Sequence, residues 1–560
     1  MCGIAGFIGN GTEQDMRKMI STISHRGPDN QQVFLRDNVA LGHARLTIID
    51  LAAEANQPFF NADHSVALVF NGEIYNFLEL KKTLEKQKDH LFRTSSDTEV
   101  LLALYQYYGL EMFPHLEGMF AFAIYDFNKN RLLLARDRMG EKPLYYGRIG
   151  EAFVFGSELK SLLAYPKVST EIDPQALEHY LVLDYVPAPY SIFRDVRKLE
   201  AGTYLLFENN SVTQKKYWDV VFNESDINFE TACDEFRRRL EKAVVGKMIA
   251  DVPLGFFLSG GLDSSTVAYF AQKSSNKKIK TYSIGFEDKS YDESSYAKQV
   301  ADLIGSDHHH EMFNEAQAVQ LIPMVASKLD EPFADPSVLP TFLLTKFTRK
   351  HVTVALGGDG SDELLGGYPT FLADRFIGAV NALSLLSKPM MAMALKLMPV
   401  SDRNIGLDFK IRQFRKGVGV PDDLVHSMWL SSFTPSEAKR VRKQAAKGTS
   451  LSQLTDLIEF HLRNLAPTSR FNRNAAIYYK TYLPDDILVK VDRASMFASL
   501  EVRSPFLDHR LVEFVNNLPE SYKRKGLVTK RILKESMKGK LPDNIIYRPK
   551  KGFGIPLSLW

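Results

Sequence analysis

The segment that most restricts the fold lies near the middle of the 560-residue chain. Pro253-Leu254-Gly255-Phe256-Phe257-Leu258 reads as an apolar strand, Ser259-Gly260-Gly261 as a loop of small residues, and 266–272 as a helix. A second strand pattern follows at 280–286, a helical one at 291–304 and a third strand at 352–356, which again ends in a glycine-rich loop. Strand, helix and strand at this spacing predict a parallel, doubly wound sheet, because parallel strands are joined through crossovers. From about residue 371 onward the patterns are mostly helical.

The first 200 or so residues follow a different rule. Short apolar runs at 66–70, 119–125, 131–135, 143–147 and 153–155 are separated only by turn residues. Such spacing predicts layered antiparallel sheets. The run 66–70 meets Asn71-Gly72, a turn signal. Ser96-Asp97-Thr98-Glu99 has the capping-box pattern of a helix start, and a second helix is expected over 174–185. Pro187-Ala188-Pro189 interrupts the chain, and a last hairpin with a polar connector fills 200–223. The boundary is therefore expected near residue 215, giving domains 2–215 and 216–560.

Charge balance excludes one class of partner. Lys and Arg number 70 against 67 Asp and Glu, a net charge of +3, without the basic excess of a nucleic-acid binder. Hydrophobic content of 45% with 24% charged residues argues against extensive disorder. Cys2 and Cys233 are too few for a disulfide scaffold or a structural zinc site. Cys233 falls in a helical pattern and reads as a small buried hydrophobe. The most apolar stretch, 382–400, is interrupted by Lys388, Pro389, Lys396 and Pro399. It reads as a packed helix, not a membrane span. With no basic signal region at the start, a cytoplasmic location is expected. The sequence ends on the apolar run 555–560 without a polar tail, so the native chain is expected to continue. Oligomeric state is left open, a homodimer included.

Cys2 becomes the first residue if Met1 is removed. Its thiol and its own α-amine, of pKa about 8, then form a nucleophile–base pair suited to acyl chemistry. Asn71-Gly72 offers an amide side chain and a backbone N–H as oxyanion donors. Arg45 offers a fork for an α-carboxylate and Asp97 a partner for an α-ammonium group. Taken singly, each has a plainer reading: chance, a hairpin turn, a structural ion pair and a helix-dipole complement. Jointly, Met1-Cys2-Gly3-Ile4-Ala5-Gly6, Ser24-His25-Arg26-Gly27-Pro28-Asp29, Gly42-His43-Ala44-Arg45-Leu46, Phe70-Asn71-Gly72-Glu73-Ile74-Tyr75-Asn76 and Ser96-Asp97-Thr98-Glu99 resemble the glutaminase domain of class II glutamine amidotransferases, in family order. The resemblance implies an N-terminal-nucleophile fold, a four-layer αββα sandwich. It implies Cys2 as the nucleophile that hydrolyses glutamine, and Asn71 and Gly72 as the oxyanion hole. It also implies that Arg45, Leu46, Thr47, Ile48, Ile49, Asn71, Gly72, Glu73 and Asp97 hold glutamine.

In the second part, small residues at Ser259-Gly260-Gly261, followed by Ser264 and Ser265 at a helix start, let backbone N–H groups approach a phosphate. Asp263 inside such a cradle would repel phosphate unless a hard cation intervened, which points to Mg²⁺. No Walker pattern occurs. The full string Ser259-Gly260-Gly261-Leu262-Asp263-Ser264-Ser265 resembles the pyrophosphate loop of ATP pyrophosphatases. The loop from Leu356-Gly357-Gly358-Asp359-Gly360-Ser361-Asp362-Glu363 to Leu364-Leu365-Gly366-Gly367-Tyr368 agrees with it; alone it would pass for an acidic surface turn.

Three further strings complete a resemblance to the glutamine-hydrolysing asparagine synthetase family over nearly the whole chain. They are Leu483-Pro484-Asp485-Asp486-Ile487-Leu488-Val489-Lys490-Val491-Asp492-Arg493-Ala494-Ser495-Met496, Glu501-Val502-Arg503-Ser504-Pro505-Phe506-Leu507-Asp508 and Arg548-Pro549-Lys550-Lys551-Gly552-Phe553-Gly554. The resemblance implies that Leu258, Ile284, Gly357 and Gly358 line the ATP site, that Asp263 and Asp362 carry Mg²⁺, and that Asp359 and Lys550 form an acid–base pair. It implies glutamine, aspartate and ATP as substrates. Asp359 and Gly357 stand where some family members carry Glu and Ser. Amidation of another carboxylate therefore stays an alternative, as does a non-catalytic glutamine sensor. Lys490, Asp492 and Arg493 read more simply as a salt-bridged helix start. The segment Asp307-His308-His309-His310-Glu311 reads as a solvated loop rather than a metal site.

Overall fold

The computed structural model describes residues 2–288, 290–399, 406–441, 451–552 and 554. Two six-stranded antiparallel sheets form the first part. In one the order is Val196–Lys198, Tyr145–Ile149, Ala152–Gly156, Gly3–Ile8, Val39–Arg45, Asn30–Arg36. The chain thus begins in the interior of a sheet. In the other the order is Ser211–Lys216, Thr203–Glu208, Arg131–Arg136, Gly118–Asp126, Val66–Ile74, Phe59–Phe60.

Successive side chains of a strand point to opposite faces, and that alternation builds three stacked cores. Ile4, Leu41, Val69, Ala123 and Phe155 fill the space between the sheets. Phe7, Ala40 and Val154 face outward onto Met16, Leu162 and Ala176 of the helices Glu13–Ser21, Leu159–Leu163 and Pro174–Leu183. Leu68, Phe70 and Phe122 face the opposite way, onto Phe77–Lys88 and Asp97–Tyr108. The layers run helix, sheet, sheet, helix, which is the αββα sandwich expected.

The second part holds a five-stranded sheet, parallel throughout, in the order Asp307–Phe313, Lys280–Phe286, Leu254–Phe257, Val354–Leu356, Glu501–Arg503. Tyr282, Ile284 and Phe286 pack against Val338–Arg349 and Leu488–Phe497 on one face. Phe256 and Leu356 pack against Phe229–Gly246 and Leu262–Lys273 on the other. Cys233, unpaired and buried, belongs to this second core. The strand order reverses between Leu254–Phe257 and Val354–Leu356. Both glycine loops leave that switch point, where open α/β sheets bind ligands.

Four sequence expectations are corrected. Asn71-Gly72 is no turn. The strand runs unbroken from Val66 to Ile74, paired with Gly118–Asp126, because burial of both faces outweighs the local turn preference. Gly72 is held at φ +151, where a Cβ would lie 2.1 Å from the Met119 carbonyl oxygen, so only glycine fits. The Ser96 side chain does cap its helix, accepting from the Thr98 N–H, but Glu99 bonds the N–H groups of Arg93 and Thr94 instead of closing a capping box. The segment expected as a solvated loop at 307–311 belongs to the edge strand Asp307–Phe313. Its backbone pairs with buried Lys280–Phe286, and His308 and His310 bond the hydroxyls of Thr281 and Ser283. The helix Ser384–Leu397 forms within 382–400 but is packed on one side only, where Met391 meets the cluster of Ile377, Val418, Val425 and Trp429. Leu386, Met390, Met393 and Leu397 are each more than 60% exposed. Val400 lies outside the described residues, as does the terminal run 555–560. Among the described residues no single helix is long and apolar enough to cross a membrane.

The two parts meet across buried charge. The Arg26 guanidinium, fully buried, donates two bonds of 2.8 Å to Asp492 and one of 2.8 Å to Glu158, while Arg493 lies 2.8 Å from Glu158. Burial raises the Asp492 pKa, but Arg26 outweighs it and holds the carboxyl below its usual range. Lys490 pairs with Asp335 at 3.1 Å. The structural role expected for this helix therefore extends to joining the two parts. Arg26→Met leaves buried Asp492 without its hydrogen-bonded cation and removes one of the cations at Glu158, and is expected to cost about 3–5 kcal/mol. Arg17→Met, breaking the exposed pair with Glu13, is expected to cost no more than about 1 kcal/mol. Thermal unfolding of both variants checks the difference, and equal midpoints would contradict it.

Candidate active sites

Cys2 sits at the head of the interior strand Gly3–Ile8, beside the end of Val39–Arg45. Its backbone N–H donates to Asn71 Oδ1 at 3.0 Å, and its thiol points to the Leu46 carbonyl at 3.7 Å. Asn71, on the facing sheet, is fully buried, and its Nδ2 has no hydrogen-bond partner among the described residues. A buried orphan donor is costly; beside a nucleophile it is a donor held ready for a developing oxyanion. Burial raises the Cys2 thiol pKa, with the Leu46 bond and the charge of Arg45 opposing, so the free thiol stays protonated near neutral pH.

Asp97, the first residue of its helix, accepts the Ile74 N–H at 2.9 Å, and burial pushes its pKa up to about 6. Glu73 is raised well above the usual range, first by burial and then by Glu501 and Asp97. Both acids thus lie within the same pocket. Arg45 is placed less simply than expected. Its guanidinium donates to the carbonyls of Asp50 and Ala52 and to Asn56 Oδ1, and so holds the 50–56 loop. Thr47 donates its N–H to Asp29 at 2.8 Å, and the Ile48 carbonyl accepts from the Asp251 N–H at 3.0 Å. The segment holding Leu46, Thr47, Ile48 and Ile49 is therefore pinned by the second part of the chain.

At the switch point, the Leu258 N–H bonds the Tyr282 carbonyl at 2.8 Å, and Ile284 is buried in the neighbouring strand. Ser259 and Ser264 bond each other across the loop at 3.1 Å. Gly260 takes φ +70, with a Cβ position 2.4 Å from Tyr296 backbone, so this turn requires glycine. Gly261 precedes the helix Leu262–Lys273 without a side-chain cap, which leaves first-turn N–H groups for an anion. The Ser265 hydroxyl is buried without a partner among the described residues. Gly358 packs its backbone against Asp263 and Ser264, where a Cβ would come within 3.0 Å. The two loops thus form one surface.

Asp263 and Asp362 face each other across cations. Lys530 Nζ lies 2.6 Å from Asp263 Oδ2 and 2.7 Å from Asp362 Oδ1. Lys550 Nζ lies 2.6 Å from Asp362 Oδ2 and 3.9 Å from Asp263. Lys550 thus pairs with Asp362 and Asp263, and it acts on Asp359 without an ion pair to it. Asp359 is raised by burial, with Lys490 and then Lys550 opposing. Burial likewise moves Glu363 up to about 7, helped by Asp362.

Three residues at these sites carried no sequence signal of their role. Lys530 comes from a segment with no motif. Arg26 was visible only as part of a string; besides joining the domains, it donates Nε–H to the Cys2 carbonyl at 3.0 Å. Arg503 reaches Glu73 at 3.5 Å. A cleft of about 470 Å³ also lies at the junction, lined by charged residues such as Glu117, Glu141, Lys242 and Arg510. It contains none of the site residues picked out from sequence.

Comparison with known proteins accords with this geometry. The family described as Asparagine synthase matches residues 235–560, and the Glutamine amidotransferase domain matches residues 1–218. The Bacillus subtilis protein named Asparagine synthetase [glutamine-hydrolyzing] 1 is 33% identical over 100% of this chain and 88% of its own length. A Methanocaldococcus jannaschii relative, named Putative asparagine synthetase [glutamine-hydrolyzing] 2, is 35% identical over 89% of this chain and 98% of its own. A Penicillium rubens relative, named Amidase chyE, is 30% identical over 100% of this chain and 89% of its own. The chain is a glutamine-dependent ligase and belongs to the asparagine synthase family, with a glutamine amidotransferase domain at its start.

Proposed function

We propose that the protein converts L-aspartate, L-glutamine, ATP and water to L-asparagine, L-glutamate, AMP and pyrophosphate, through a β-aspartyl-adenylate, with 2–215 and 216–560 as its two catalytic units. The observation that carries the first half is that Asn71, which accepts the Cys2 backbone N–H through Oδ1, is buried with an unpartnered Nδ2. With Met1 removed, the Cys2 amine takes the thiol proton and the thiolate attacks the glutamine side-chain carbonyl. Asn71 Nδ2 and the Gly72 N–H hold the oxyanion. Ammonia leaves, and water hydrolyses the thioester to glutamate. Glu73 and Asp97 receive the α-ammonium group. Arg45, with the Leu46–Ile49 segment it helps to shape, receives the α-carboxylate.

Ammonia must reach the second site without protonation. Leu46, Ile48, Met119 and Met139 of the first part share one apolar cluster with Phe256, Leu258, Leu364 and Leu365 of the second. That continuity supports a shielded route. In the second site, residues 259–265 and Gly357–Gly358 hold the ATP phosphates, and Lys550 stabilises charge that develops there. Mg²⁺ fits the donor set. Asp263 and Asp362 bring hard carboxylate oxygens to either side of a single ammonium position, and Mg²⁺ is held by one or two carboxylates together with phosphate oxygens. Bound there, it would neutralise phosphate charge. Asp359 and Lys490 face each other beside that position and set the local charge.

A relative that carries another name, an amidase, spans the whole chain, so a second reading, amidation of another carboxylate such as a peptide, antibiotic or sugar acid, is tested beside the first. Purified protein supplied with glutamine and ATP is tested against aspartate and a panel of such carboxylates. AMP release and amide formation are expected with aspartate. Their absence with aspartate and presence with another acid would establish the second reading instead.

A further inference from the structure

Two side chains of the second domain reach the glutamine pocket of the first. Both come from the short edge strand Glu501–Arg503. Arg503 is fully buried. Its Nε donates to Glu501 Oε1 at 2.6 Å, and its Nη1 donates to the carbonyls of Lys247 at 2.8 Å and Ile249 at 2.6 Å. Three acceptors of its own domain therefore fix the guanidinium plane. The remaining nitrogen, Nη2, is presented to the other domain, 3.5 Å from Glu73 Oε1. That contact is an ion pair without hydrogen-bond geometry, and Glu73 Oε2 is buried with no hydrogen-bond partner among the described residues. The carboxylate is thus oriented from one side and left with an unused acceptor on the other, the arrangement an incoming ammonium group requires.

We propose that the glutamine pocket is composite, with Arg503 as a positioning residue that orients Glu73 for the α-ammonium group of glutamine and Glu501 as the carboxylate that holds the Arg503 guanidinium in that orientation. This rests on the glutaminase reading above. Among the described residues, Glu501, Asp97, Arg503 and Tyr75 interact electrostatically with Glu73. Burial raises Glu73 and Asp97; Glu501 raises both further, and Arg503 lowers both. The Arg503 carbonyl also accepts the Gly357 N–H at 2.9 Å. The residue that steadies the glutamine site is therefore anchored to the first glycine of the nucleotide loop.

The test is the pH profile of kcat/KM for glutamate release from glutamine by the full chain, since this ratio reports the ionisation of groups in the free enzyme. Glutamine binding needs the Glu73–Asp97 pair ionised, so activity falls on the acid side. Arg503→Met is expected to move that acid limb to higher pH and to raise the glutamine KM about tenfold, the effect of one pKa unit, with kcat largely kept. Arg503→Lys, which keeps the charge, is expected to restore the limb but not the full affinity. Glu501→Gln keeps the size and the acceptor for Arg503, and is expected to move the limb to lower pH. Opposite shifts support the proposal; unmoved limbs, or shifts in the same direction, overturn it. If Arg503→Met fails to fold, the isosteric Glu501→Gln decides alone: a limb moved to lower pH supports the proposal, and an unmoved limb or one moved to higher pH overturns it. Wild-type glutamate release separates the two claims. Its absence overturns the glutaminase reading itself, and its presence with unmoved limbs overturns only the roles of Arg503 and Glu501.

Discussion

Cys2→Ala is expected to abolish amide formation from glutamine while leaving amide formation from ammonium salts unchanged. The thiol is the group proposed to attack the glutamine side-chain carbonyl, and the alanine methyl cannot replace it. Loss of a covalent nucleophile removes at least about 10³-fold of turnover. The substitution is small, and it leaves in place the bonds that hold residue 2, from its N–H to Asn71 and from Arg26 to its carbonyl. The second site lies on the parallel sheet, on different elements, and should not sense the change. Glutamate release and ATP-dependent amide formation, measured with each nitrogen source, check the result. If the ammonium-supported rate falls with the glutamine-supported one, the two chemistries do not occupy separate sites.

Asp362→Asn is expected to give the complementary pattern. Glutamate release from glutamine persists, while amide formation drops about 10²–10³-fold with either nitrogen source, the scale of one lost electrostatic contact in an active site. Burial opposes ionisation of Asp362, but Lys530 and Lys550 hold its carboxyl well below the usual range. It is therefore a permanent negative charge aimed at the switch point. Its removal leaves both lysines with Asp263 alone and takes away one of the two carboxylates that suit Mg²⁺. Chelation of divalent cations should mimic the substitution in the wild type and add little in the variant. A variant that keeps full synthesis would remove Asp362 from the reaction.

Much of the architecture was readable before any coordinates. Parallel strands require crossovers and close-spaced runs leave no room for them, so the change of spacing along the chain separates a sandwich from a doubly wound sheet. The strand Lys280–Phe286 was placed to the residue, because Tyr282, Ile284 and Phe286 alternate with small or polar residues in the period-two pattern of a strand. The edge strand Asp307–Phe313 was missed for the opposite reason. It is polar on its exposed side, and its pairing with Lys280–Phe286 lies in the backbone, which composition does not record. Asn71-Gly72 misled in the same way: its turn preference is local, while its actual conformation is imposed by pairing with Phe120 and Ala121.

Sequence by itself determined which candidate groups lie together along contiguous chain. These are a thiol and amine on one residue, a run of small residues between strand and helix, and acids spaced along a single loop. Only the tertiary structure decided which charges those groups face. Arg26 meets Asp492 across 466 residues, and Lys530 meets Asp263 across 267. Lys550 pairs with Asp362 rather than Asp359, and Arg503 turns toward Glu73 from another domain. The physical reason is that a motif specifies chemistry over a few bonds, whereas ionisation and orientation follow from charges within a few ångströms in a buried, weakly screening interior, and those neighbours exist only once the chain has folded.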